Sequence, residues 1–158
     1  DMTGKTIMIT GASRGIGLAI AEECAALGAK VAIGARKIER LEAAAEGMRA
    51  GGAEVFVRAT DLLDLDDTGR MLDEVHEALG PVDVLVNNAG VSIGGPIDDP
   101  DFEEKWQLAL DVLLTPHQRL VRACLADLKA SGEGRVINIS STDIKPAASF
   151  TNGADTWQ

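Results

Sequence analysis

The chain has 158 residues, 46% hydrophobic and 25% charged, which suits one domain with a real core and excludes a disordered chain. Its formal net charge of −10 repels nucleic-acid phosphates and anionic membrane surfaces, so neither is expected as a partner. The same acidity opposes any anionic ligand, whose site should be locally basic or built from backbone amides. With no signal-peptide pattern and no apolar run of about 18 residues, a cytoplasmic location is expected. Cys24 and Cys124 lie in helical patterns among apolar neighbours and read as buried free thiols, and no spacing suggests a metal site.

An apolar run, Thr6 to Ile9, leads into the string TGASRGIG at Thr10–Gly17. Ile16, Ile20, Cys24 and Leu27 lead out of it at helical spacing. Strand, glycine-rich turn and helix are the context that a dinucleotide-binding loop requires. Gly11 permits a sharp turn at the strand end, Gly15 lets backbone approach a pyrophosphate, and Gly17 lets the helix pack close to the strand. The helix N-terminus then offers N–H groups and a partial positive charge to phosphates. A glycine-rich packing turn without a ligand is the alternative.

Lys30 to Ala35 is a short buried strand, followed directly by Arg36. Ile38, Leu41, Ala45 and Met48 predict a helix over Ile38–Ala50, stopped by Gly51-Gly52. Glu54 to Ala59 is a third strand, with Asp61-Leu62 after it. Met71, Leu72, Val75 and Leu79 mark an amphipathic helix ended by Gly80-Pro81, and His76 on it reads as solvated. Val82 to Val86 is a fourth strand, closing on Asn87-Asn88-Ala89-Gly90, a composition that turns readily. After a Gly-, Pro- and Asp-rich loop at Val91–Pro100, a long helical region runs from about Asp101 to Ala130. Trp106, Leu110, Leu113, Leu114, Leu120, Val121, Cys124, Leu125 and Leu128 give it a broad apolar face, and Pro116 predicts a kink or split. Arg135 to Ile139 is a fifth strand, ending at Ser140-Ser141. Periodicity is lost over Thr142–Gln158, which reads as an irregular tail to a domain spanning residues 1–141. Strands alternating with helices predict an α/β fold, a doubly wound parallel sheet of about five strands.

Three residues separate the first two glycines, unlike the general GxGxxG spacing. TGASRGIG, Arg36, Asp61 and NNAG at Asn87–Gly90, in this order, resemble the short-chain dehydrogenase/reductase family over about Lys5 to Ser141. The resemblance implies a Rossmann-type sheet and a nicotinamide cofactor cradled by Gly11, Ser13, Arg14, Gly15, Ile16 and Gly17. It also implies that Asp61, beside Leu62, accepts a hydrogen bond from the adenine amino group, and that Asn88, Ala89 and Gly90 line the cofactor ribose. On the residues alone, Asp61 serves as well as a helix N-cap. An NAD site usually places Asp or Glu about 20 residues beyond the glycines to hold the ribose 2′-OH. Here Ala35 stands there, with Arg36 next and Arg14 within the loop. A guanidinium binds a 2′-phosphate that a carboxylate would repel, so NADP(H) is expected over NAD(H). A solvated strand-end Arg36 is the alternative.

The resemblance further implies hydride transfer between the nicotinamide and a carbonyl or alcohol carbon of a small-molecule substrate. In the family a Tyr acts as acid or base, a Lys lowers its pKa, a Ser polarises the carbonyl and a helical Asn holds a water. Only Ser141 matches, and by itself it also reads as a strand-end turn residue. The Tyr, Lys and Asn positions fall on Ala154, Gln158 and Leu113, and the chain contains no Tyr at all. His117, one helical turn beyond Leu113, could reach the same face, though a surface or core histidine is the plainer reading. The expectation is an NADP-dependent oxidoreductase, truncated relative to the family or catalytically impaired. A non-catalytic nucleotide-binding or interaction module is the alternative. Without the family's further C-terminal elements, the fifth strand has an unpaired edge and the long helix lacks cover, which predicts a homo-oligomer, a partner or low stability.

Overall fold

The computed structural model describes residues 1–64, 66–93 and 96–140; Ser141 and the expected tail at 142–158 lie outside the described residues. One parallel sheet is formed by β1 (Thr6–Thr10), β2 (Lys30–Ala35), β3 (Val55–Ala59), β4 (Val84–Asn87) and β5 (Arg135–Asn138), in the order β3-β2-β1-β4-β5. The helices are α1 (Gly15–Ala26), α2 (Ile38–Ala50), α3 (Asp67–Leu79), α4 (Phe102–Leu113) and α5 (Thr115–Ala130). Strand order runs outward from β1 in both directions. It therefore reverses between β1 and β4, and a crevice opens outside the carboxyl ends of these two strands.

β1 is buried throughout because it lies at the middle of the sheet with helices on both faces. Its side chains alternate between two cores. Ile7 and Ile9 pack with Val31 and Ile33 of β2, Ala21 of α1 and Leu41 of α2. Met8 packs with Leu85 of β4, Val75 of α3, and Leu120 and Cys124 of α5. Each buried Ile, Val, Leu or Met among these contributes roughly 1.5–3 kcal/mol by leaving water.

The expected helices and strands are all present, with ends shifted by one or two residues. Three packing details differ from expectation. In α1 the fully buried residues are Gly17 and Ala21, whereas Ile16 is 63% exposed, so the apolar stripe does not start at Ile16. Close approach at Gly17 sets that rotation, since even a Cβ there would meet Gly11 O at 2.9 Å. The long helical region does split, at Leu114 (φ −122°, ψ −54°), with Pro116 in the first turn of α5 where its missing N–H breaks no bond. That break interrupts the helical phase, so α4 does not continue the α5 stripe. Leu120 and Cys124 are buried, but α4 buries no residue fully, and Trp106 (56%) and Leu114 (60%) stand exposed. Finally, His76 is not simply solvated: its Nε2 pairs with Asp127 Oδ2 on α5, and the same oxygen accepts the Val82 N–H at 3.0 Å.

Both cysteines are free and lie on opposite sides of the sheet. Cys24 is half-buried, and Cys124 is buried with its thiol pushed up to about 12 by burial and by Asp127. Neither provides a thiolate at neutral pH.

Candidate cofactor site

The site is built where two turns meet at the switch between β1 and β4. Gly11 (φ +69°) ends β1, and a Cβ on it would lie 2.7 Å from Ala89 Cα, so the bend and the close approach both require glycine. Gly15 (φ +60°) has nothing within 4 Å of where its Cβ would be, leaving its backbone open to a ligand. Gly17 is pressed against Asn88 Nδ2 and Gly11 O, so its close packing is to the loop and the β4 turn rather than to β1 itself.

Hydrogen bonds stitch the two turns together. The buried Thr10 Oγ1 accepts the N–H groups of Asn88 and Ala89, both at 3.1 Å. Asn88 Nδ2 donates to Thr10 O at 2.9 Å and Gly11 O at 3.2 Å. On the other side, His117 Nε2 of α5 lies 3.2 Å from Ala89 O. A carbonyl only accepts, so Nε2 carries the proton.

A cavity of about 750 Å³ opens between the turns, of a size suited to a nucleotide ligand. Gly11, Ser13, Arg14, Gly15, Ile16, Arg36, Asp61, Leu62, Asn88, Ala89 and Gly90 line it. Gly17 does not; it lies buried behind the wall. Ser141 is outside the described residues. Lys37 and Arg40, which the sequence motifs do not single out, line the cavity with Arg14 and Arg36. The signal for them was present as the run Arg36-Lys37-Ile38-Glu39-Arg40 directly after β2.

These four cations share one cavity. Among the described residues none of them has an ion-pair partner, whereas Arg58 is held by Asp67 at 2.9 Å and Glu74 at 2.8 Å. Arg14 and Lys37 are also the N-caps of α1 and α2, with no side-chain capping bond, and Arg40 falls in the first turn of α2. Cations are disfavoured at helix N-termini, and neither Arg nor Lys can cap one. An anion in the cavity would relieve both conflicts.

Asp61 is not a helix N-cap, because α3 begins at Asp67. Its Oδ1 accepts the Leu63 N–H at 3.0 Å, and its own N–H donates to Asp67 Oδ2 at 2.8 Å. Asp67 is in turn gripped by Arg58, and by Arg70 at 3.3 Å. Burial opposes the Asp67 carboxylate, but hydrogen bonds from Arg58 and the Asp61 N–H outweigh it and hold its pKa below the ordinary value. An ionised Asp67 thus anchors the segment that brings Asp61 to the cavity.

The short chain dehydrogenase family profile matches residues 5–151. The chain belongs to the short-chain dehydrogenase family. It is 36% identical over 142 residues to a short chain dehydrogenase of Pseudocercospora fijiensis, covering 89% of this chain and 46% of that protein. A ketoacyl reductase of Nostoc sp. is 30% identical over 151 residues, covering 96% and 52%. Among solved structures, a metagenomic short-chain oxidoreductase in complex with NADP has a TM-score of 0.83 at 39% identity, over 89% of this chain and 64% of that one. L-sorbose reductase from Gluconobacter frateurii, complexed with NADPH and L-sorbose, has a TM-score of 0.80 at 35% identity, over 87% and 52%. The chain spans about half the length of these two curated relatives. Among the described residues, no helix is long and apolar enough to cross a membrane.

Proposed function

We propose that this chain forms the NADP(H)-binding part of an oxidoreductase that interconverts a carbonyl and an alcohol on a small-molecule substrate. The observation that carries the proposal is the cluster of Arg14, Arg36, Lys37 and Arg40 on one cavity, free of ion pairs among the described residues, in a chain of net charge −10. In this reading Gly11, Ser13, Arg14, Gly15 and Ile16 hold the pyrophosphate at the start of α1, with Gly17 permitting the close packing behind them. Arg36, Lys37 and Arg40 take the 2′-phosphate, where Ala35 removes the carboxylate that would repel it. Asp61 and Leu62 take the adenine, and Asn88, Ala89 and Gly90 line the far ribose. Bound NADP(H) supplies the hydride donor or acceptor. The relatives solved with NADP and NADPH support the same cofactor here.

The acid–base tyrosine of the family has no counterpart in these 158 residues. By themselves they are therefore proposed to bind the cofactor without turning it over, with Ser141 the one match to the family's polarising groups. The exposed Trp106, Leu108 and Leu114 support self-association, and sedimentation velocity showing only monomer at micromolar concentration would argue against it. The cofactor assignment is tested by titrating the chain and Arg36→Asp with NADPH and NADH. The variant is expected to reverse the preference for NADPH. Unchanged relative affinities would remove Arg36 from the assignment.

A further inference from the structure

Ala89 is held on both sides by groups from different layers of the fold. Its N–H goes to Thr10 Oγ1 of β1, and its carbonyl receives His117 Nε2–H from α5. The hydrogen bonds described for Asn88, and the Ala89 N–H, run to Thr10 or Gly11 and tie this wall to β1 and the loop after it, while Asn87 before it bonds to Asn138 and Ile139 on the β5 side. His117 is the polar link from the helix layer to the cavity wall. It is half-buried in the first turn of α5, between the buried Pro116 and Leu120, where a polar ring is unfavourable unless it is bonded. It does not line the cavity, so any influence on a ligand passes through Ala89.

We propose that His117 is a positioning residue that pre-orders the Asn88–Gly90 wall for the nicotinamide half of the cofactor. The inference rests on the NADP(H) reading of the cavity. A dinucleotide on this topology lies across the β1/β4 crevice. Its adenosine half lies toward Arg36 at the end of β2, leaving the nicotinamide half toward the β4 turn that His117 clamps. A turn already fixed before binding does not lose that freedom on binding, so the clamp strengthens binding of the ligand half that touches it. Without the imidazole the Ala89 carbonyl loses its donor, and the wall must be ordered by the ligand instead. A neutral imidazole with its proton on Nε2 can donate to this carbonyl, so the clamp does not require a charged ring.

The test compares NADPH with adenosine 2′,5′-bisphosphate, which carries only the adenosine half, on the whole chain and two variants. His117→Leu should weaken NADPH about five- to tenfold, the equivalent of one hydrogen bond, and leave adenosine 2′,5′-bisphosphate unchanged. The unchanged fragment affinity also shows that the variant is folded. His117→Gln, whose amide N–H can donate to the same carbonyl, should recover most of the loss. Equal weakening of both ligands, no weakening of either, or no rescue by Gln would overturn the positioning role. A wild-type chain that binds neither ligand would instead overturn the NADP(H) reading, and the inference with it.

Discussion

Asp67 never touches the cavity, yet the placement of Asp61 depends on its charge. The Arg58 and Asp67 side chains are only 13% and 14% exposed, so solvent screens their ion pair weakly. The Asp67 pKa is lowered on folding, so its stabilisation is complete above the ordinary carboxylate value of about 3.9 and disappears as pH falls through the lowered folded value. Asp67→Asn should therefore destabilise the chain at neutral pH by about 1–3 kcal/mol and flatten the acid limb of its stability curve. Chemical denaturation at several pH values measures this, and an unchanged acid limb would contradict it. At this scale the sequence was legible where chemistry is local. The turns at Gly11 and Gly15 follow from what glycine alone permits. His76 and His117 were not legible, because their partners Asp127 and Ala89 are distant in sequence and only packing joins them. The cap alternative for Asp61 fails for the same reason: α3 starts six residues later, behind the Asp67 anchor.

The two helices that open onto the cavity are capped by cations, which their N-termini disfavour, although Glu39 in the first turn of α2 offsets part of that cost. Lys37 cannot accept an N–H bond at the N-cap of α2, and with Arg40 it opposes the helix dipole. If these cations are kept for a phosphate, removing one should stabilise the free chain while weakening the ligand. Lys37→Asp should raise the unliganded stability by about 0.5–1.5 kcal/mol through capping and the dipole. It should weaken NADPH roughly tenfold or more, about 1.4 kcal/mol for one lost charge-assisted contact. Thermal melts with and without NADPH separate the two effects, and a variant that melts lower without ligand would contradict the account. The elements themselves were legible because their apolar periods are clean, as in Met71, Leu72, Val75 and Leu79 of α3. The broad apolar face assigned to one long helix was the exception. Pro116 disclosed the split, but not that the break at Leu114 would leave the α4 side chains exposed.

In the whole molecule, alternation of strands and helices indicated a parallel sheet, but strand order is a long-range property. The placement of β4 beside β1, which creates the crevice, came from the register of Ile7 with both Val31 and Val84. That placement brings residues as distant as Arg14, Arg36, Asp61 and Ala89 onto one cavity. In the proposed reading, the four cations that a molecule of net charge −10 concentrates on this cavity serve an anion there, and the 2′-phosphate distinguishes the two nicotinamide dinucleotides. The most direct measurement is an equilibrium titration of the chain with NADPH and with NADH under identical salt. Tight NADPH binding with NADH at least about tenfold weaker is the predicted result. Equal affinity for the two, or binding of neither, would contradict the assignment of this cavity to NADP(H).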